Sequence, residues 1–134
     1  LEKYSFKHVK VSEPDVVNLD AFDLKLAVLD LPGHTLGHVA YYANGLVFCG
    51  DTLFGAGCGR LFEGTPQQMY RSLQKLAALP ADTAVYCTHE YTSHNIRFGL
   101  TLDPHNQALL KRQELTNVLR QSNQPSLPST IQLE

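Results

Sequence analysis

No apolar run in these 134 residues approaches the roughly 18 that a membrane-spanning helix needs. The longest, such as Leu26 to Leu29, have the length of buried strands. Basic clusters are equally scarce. With a formal charge of −2 and no lysine/arginine stripe, the chain lacks the electrostatic footprint of a nucleic-acid binder. Cysteine is sparse and unpaired in pattern: Cys49, Cys58 and Cys87 include no C-x-x-C, which removes zinc-ribbon and thioredoxin-like sites. Two of the three lie in apolar β-like runs, where a thiol behaves as a small hydrophobe. All three are expected to be reduced, which favours the cytoplasm, and no signal-peptide pattern stands against that. Internal repeats and low-complexity tracts are missing as well. What remains, 43% hydrophobic and 18% charged, is ordinary globular composition, and the length suits one domain with a continuous core.

Residues 1–23 are weakly patterned. Phe6, His8-Val9 and Val11 alternate loosely, Glu13-Pro14-Asp15 breaks the chain, and Asn18 to Asp23 reads as a turn. Lys25 to Leu31 is a β-rich run closed by Pro32-Gly33. Val39 to Ala43 and Leu46 to Cys49 are two strands joined by Asn44-Gly45, a type I′ hairpin signal. The glycine-rich stretch from Leu53 to Gly64 reads as a loop that passes close to something or takes positive φ. Thr65-Pro66 opens a helix, with Pro66 at its first position and Gln68 completing a capping box. Met69, Leu73, Leu76 and Ala77 form its apolar stripe, and Leu79-Pro80 ends it. Ala84 to Thr88 is another short strand. Helices are expected over Thr92 to Leu102 and Asn106 to Gln121, separated by Asp103-Pro104. The tail Ser122 to Ser129 reads as a linker or loop, and Lys111-Arg112 as a solvated helix face. Strands first and helices last describe an α/β sandwich passing into a helical segment.

Three side chains share a placement. His34, Asp51 and His89 each follow a β-run or the turn that closes one, where rigid scaffolds hold functional groups. Imidazole with carboxylate is the usual donor set for zinc and similar divalent cations. Any single histidine is more often a surface or satisfied core residue; three such groups together, two beside glycine (Gly33, Gly50), reverse that balance. Gly55-Ala56-Gly57-Cys58-Gly59 faintly suggests a nucleotide-binding turn, but it opens no helix after a strand, and that reading is rejected. Cys58 has no histidine paired with it by any motif and is not expected to be a nucleophile.

The order Pro32-Gly33-His34-Thr35-Leu36-Gly37-His38, Phe48-Cys49-Gly50-Asp51-Thr52-Leu53-Phe54, Gly57-Cys58-Gly59-Arg60-Leu61-Phe62-Glu63-Gly64-Thr65 and Thr88-His89-Glu90-Tyr91 resembles the later motifs of the metallo-β-lactamase superfamily, in wording nearest to hydroxyacylglutathione hydrolases (glyoxalase II). The likeness runs from about Lys25 to Leu102. It implies a fold that is the C-terminal part of an αββα sandwich followed by a helical segment, with residues 1–91 a partial metallo-β-lactamase-like domain and 92–134 the start of a helical substrate-binding region. It also implies two divalent metal ions, zinc by preference with iron or manganese as alternatives: His34 on one, His89 on the other, Asp51 bridging. His38 matches a histidine that is not a ligand in the family, and is either an outer support or structural. Arg60, Phe62 and Tyr91 fall on positions that contact a glutathione thioester, Phe62 without the hydroxyl that some relatives carry there. The implied reaction is hydrolysis of S-lactoylglutathione or a similar S-2-hydroxyacylglutathione by metal-bound hydroxide, in a complete enzyme expected to be monomeric.

The family's upstream His-x-His-x-Asp-His segment has no counterpart in these residues, nor has the basic stretch that holds the glutathione glycine carboxylate. Leu1 in place of Met, and an end at Ile131 to Glu134 without a closing element, are expected of a piece cut from a longer chain, which alone is expected to be inactive. Two other readings stay open: an iron-dependent sulfur dioxygenase of the same superfamily, and a truncated non-catalytic paralogue.

Overall fold

The computed structural model describes residues 8–134; Phe6 of the loosely alternating N-terminal run lies outside them. Strands β1 (Val16–Leu19), β2 (Leu24–Asp30), β3 (Val39–Ala43), β4 (Leu46–Gly50), β7 (Ala84–Cys87) and β8 (Ser129–Thr130) form one sheet in the order β1-β2-β3-β4-β7-β8. A second, two-stranded ribbon joins β5 (Leu53–Phe54) to β6 (Gly57–Cys58). The helices are α1 (Pro66–Ala77), α2 (Thr92–Leu102) and α3 (Gln107–Gln121).

Pairing is antiparallel from β1 through β4, parallel between β4 and β7, and antiparallel again to β8. A parallel step needs a crossover, and α1 supplies it. Its capping box forms as the sequence indicates: the Thr65 side chain accepts from Gln68 N–H, and the Gln68 side chain accepts from Thr65 N–H. Met69, Ser72 and Leu76 face inward. Leu76 packs with Leu31, Ala40, Val47, Cys49 and Val85 in a core between α1 and one face of the sheet. Ala40, Val47, Cys49 and Val85 are inward-facing alternate residues of β3, β4 and β7, the period-two pattern of a covered sheet face. On the opposite face Phe48 and Tyr86 lie exposed and stack at 5.2 Å.

The antiparallel alternation makes β2 and β4 run the same way, and β7 runs with β4. The C-terminal ends of β2, β4 and β7 therefore share one edge of the sheet. That edge receives the loop carrying His34, the turn carrying Asp51 and the segment carrying His89.

Several expectations are corrected. Val16–Leu19 is a strand paired with β2, and only Asp20–Phe22 forms a 3-10 turn. Asn44-Gly45 does close the β3–β4 hairpin, but the positive φ falls on Gly45 (+81°) and not on Asn44, the type II pattern rather than I′. The tail is not wholly linker, since Ser129–Thr130 adds to the sheet against β7. Arg112 is not on a solvated face. Its guanidinium, 11% exposed, pairs with the Glu134 carboxylate, 3% exposed. Glu134 also accepts from Ser129 Oγ and from Ala56 N–H, tying α3 and β8 to the β5–β6 ribbon.

Candidate functional site

His34, Asp51 and His89, 17 and 38 residues apart in the chain, meet at the shared strand edge. His34 Nε2 lies 3.5 Å from Asp51 Oδ2, and His89 Nε2 lies 3.4 Å from Asp51 Oδ1. Each imidazole thus faces a different oxygen of one carboxylate. The backbone explains the meeting. Gly50 takes φ +54° at the end of β4, turning the chain sharply so that Asp51 leaves the sheet. Gly50 carbonyl then accepts Thr88 N–H at 3.2 Å, which sets the segment entering His89 beside that turn.

The tautomer of His34 follows from its partner. Nδ1 is 2.7 Å from the Arg60 carbonyl oxygen, which can only accept, so Nδ1 carries the proton. In the neutral ring Nε2 then presents a lone pair to a carboxylate oxygen, acceptor against acceptor. Such an arrangement suits a cation between the two groups, and imidazole with carboxylate is a proper donor set for one. Among the described residues no group of three or more His, Cys, Asp or Glu side chains closes around a single ion. Each imidazole instead faces its own oxygen of Asp51.

His38 supports this arrangement from beneath. Its Nε2 accepts Asp51 N–H at 3.0 Å, and its ring lies edge-on to that of His34 at 5.6 Å. Burial is the largest influence on its pKa and holds it below the ordinary histidine value.

The glycine-rich loop packs onto the same turn. Gly59 N–H donates to the Thr52 carbonyl at 3.1 Å, and a Cβ on Gly59 would stand 1.8 Å from the Asp51 carbonyl oxygen; no other residue fits there. Beyond it Arg60 and Phe62 fall on the His34 side of the site. The Arg60 guanidinium lies 5.0 Å from the Phe62 ring centroid, and that ring meets His34 edge-on at 5.0 Å. Tyr91 falls on the other side, stacked on His89 at 5.1 Å and edge-on to Phe54 at 5.3 Å. The expected metal trio and the expected substrate residues are therefore brought to one surface, on which Phe62 and Tyr91 are exposed.

Sequence reasoning gave no role to Glu90 or Phe54. Glu90, next to His89, accepts from Ser126 N–H and Oγ and from Arg120 Nη1, which fastens the residues after α3 to the His89 segment. Hydrogen bonds from Ser126 hold its carboxyl below the usual range. Its position inside the His-Glu-Tyr motif was the only available signal; a partner 36 residues away has none.

Residues 4–89 match the family model described as metallo-beta-lactamase superfamily, and residues 90–134 that described as hydroxyacylglutathione hydrolase C-terminus. A hydroxyacylglutathione hydrolase of Methylobacillus flagellatus is 59% identical over 133 residues, covering 99% of this chain and 53% of the relative. Another, of Aeromonas hydrophila, is 60% identical over 108 residues, covering 81% and 42%. The chain spans about half the length of the curated relatives it matches. Among solved structures, ETHE1 from Myxococcus xanthus superposes with a TM-score of 0.60 at 32% identity, covering 95% of this chain and 57% of that one. A metallo-beta-lactamase from Staphylococcus aureus gives 0.53 at 26% identity over 59% of this chain and 26% of its own. A sheet with its crossover helix, C-terminal helices and a match over well more than half the residues agree: this chain belongs to the metallo-beta-lactamase superfamily.

Proposed function

We propose that the chain is the C-terminal part of a metal-dependent thioester hydrolase that converts S-2-hydroxyacylglutathione, S-lactoylglutathione being the expected case, to glutathione and a 2-hydroxy acid. The observation that carries this reading is Asp51 offering one carboxylate oxygen to His34 and the other to His89. The high identity to proteins named hydroxyacylglutathione hydrolase supports the choice of substrate.

In this reading His34 holds one divalent cation, His89 a second, and Asp51 both, zinc being the preferred metal. Three side chains cannot fill two coordination shells of about four ligands each, so the remaining ligands come from outside these residues. When bound, such a pair of cations supplies Lewis acidity and an activated water near neutral pH. The chain's own groups do the rest. Arg60 holds a glutathione carboxylate, for which a guanidinium has two-pronged geometry. Phe62 and Tyr91 line the glutathione path as ring surfaces, and residues 92–134 begin a helical substrate-binding region. The departing thiol has an ordinary pKa of about 8.5, so it leaves as thiolate with little help from an acid. No side-chain nucleophile is needed, and burial pushes the Cys58 thiol up, away from the reactive range.

The test is release of free thiol from S-lactoylglutathione by the complete, metal-loaded enzyme, followed with a thiol reagent. Stoichiometric thiol and 2-hydroxy acid, lost on chelation, are expected. A fully loaded enzyme that releases no thiol from any glutathione thioester overturns the reading.

A further inference from the structure

We propose that His38 is a positioning residue for Asp51: as a neutral ring with its proton on Nδ1, it accepts the Asp51 backbone N–H and thereby fixes where that carboxylate stands between His34 and His89. The inference rests on the hydrolase reading only for its consequence in turnover; the geometry is independent of it.

Two contacts compete for Nε2. The Asp51 N–H lies at 3.0 Å and requires a lone pair there, whereas the Cys49 carbonyl lies at 3.4 Å and requires a proton there. One nitrogen of a neutral ring cannot serve both, and the shorter bond decides for the lone pair. The surroundings are shaped for this contact. Leu31 N–H donates to the His38 carbonyl at 2.8 Å, which anchors the backbone of His38 to the end of β2. Gly50 leaves the space the ring occupies: a Cβ there would stand 2.6 Å from Nε2 and 2.8 Å from Cε1. The turn from Cys49 to Thr52 is closed by Thr52 N–H donating to the Cys49 carbonyl at 3.2 Å. That turn uses the Thr52 N–H, and the Asp51 N–H beside it goes to His38. The side chain that ends the Gly33-to-His38 motif thus holds the second ligand of the site, while His34 near its start is the first.

Nitrogen-15 NMR of histidine-labelled protein tests the tautomer, with cobalt(II) as the metal probe in the complete enzyme. We expect His38 Nε2 to resonate as an unprotonated nitrogen and the Asp51 amide to exchange slowly. His38→Leu is expected to bind cobalt(II) about 10- to 100-fold more weakly, the range for loss of a group that orients a ligand. It should lower kcat while leaving KM for the thioester near its original value. His38→Gln, whose amide oxygen reaches the same place, should recover most of both. A protonated Nε2 overturns the assignment, as does cobalt(II) affinity in His38→Leu equal to that of the unaltered protein. An enzyme that hydrolyses no thioester yet shows the unprotonated Nε2 and the cobalt(II) loss retains this role for His38 and overturns only the hydrolase reading.

Discussion

Nδ1 of His34 donates to the carbonyl oxygen of Arg60 across 2.7 Å, so one loop residue aims an imidazole with its backbone while its guanidinium lies over the Phe62 ring. The two jobs separate by mutation. Arg60→Ala keeps the carbonyl and removes the side chain beyond Cβ, whose charged head is remote from the reacting bond and lies over Phe62. The expected outcome is a KM for the glutathione thioester raised roughly 10-fold, the worth of one charge-assisted hydrogen bond, with kcat little changed. A large fall in kcat at constant KM would count against this role.

Gly59, one residue earlier, behaves in the opposite way. A methyl group there meets the Asp51 carbonyl oxygen at 1.8 Å, a distance no relaxation of a side chain can relieve, because both partners are backbone. Gly59→Ala must therefore move either the loop or the Asp51 turn. Metal content after dialysis should fall together with kcat. Full metal occupancy and wild-type turnover in this variant would show that the loop does not bear on the site.

Asp51→Ala removes the oxygen facing His34 and the oxygen facing His89 in one step. In the complete enzyme it should abolish thioester hydrolysis and reduce metal uptake at both positions, measured by elemental analysis. Retained turnover with two metals bound would refute the bridging assignment.

How far the sequence could be read depended on whether a feature repeats locally. Strands β2, β3 and β4 and the helix starting at Pro66 announce themselves through alternation, an Asn-Gly turn and a capping box, and they form close to where those signals place them. The ribbon Leu53–Phe54 with Gly57–Cys58 and the strand Ser129–Thr130 are two residues long on each side, too short to show any period. The site was legible as a set of motif positions, but its geometry was not: nothing local tells that Gly50 turns left-handed or that His38 receives the Asp51 amide. Arg112 misleads for the same reason. Beside Lys111 on a polar helix it looks solvated, and its true partner is 22 residues away.

That partner makes a strong prediction. With 11% and 3% of the two side chains exposed, removing either charge leaves the other buried and unpaired, which costs about 3–5 kcal/mol. Arg112→Ala and Glu134→Ala should each lower the urea midpoint of the complete enzyme by that measure. Arg112→Met combined with Glu134→Leu should cost less than either single change, since no orphan charge remains. Because Glu134 also receives Ala56 N–H, the single variants should in addition loosen the β5–β6 ribbon, seen as faster amide exchange at Ala56 and Gly57. Additive costs in the double variant would show that the pair contributes nothing through its charges.

Glu13 gives the pH dependence. Its carboxylate accepts from Lys75 Nζ and from Asp30 N–H, while Glu13 N–H donates to Asp30 Oδ1, fastening the segment before β1 to the end of β2 and to α1. The Lys75 hydrogen bond first, and the Asp30 N–H second, lower its pKa from the ordinary value. A carboxyl whose pKa is lower folded than unfolded binds protons more readily in the unfolded chain, so its stabilisation is present above the ordinary glutamate pKa and is lost as pH falls through that value and below. Glu13 and Lys75 are 37% and 38% exposed, and solvent screening keeps the contribution under about 1 kcal/mol. Glu13→Gln should therefore be slightly less stable than the unaltered protein at pH 7, with the difference fading in acid and in molar salt. A stability difference that widens as pH falls would reverse the sign and rule out the ion pair as its source.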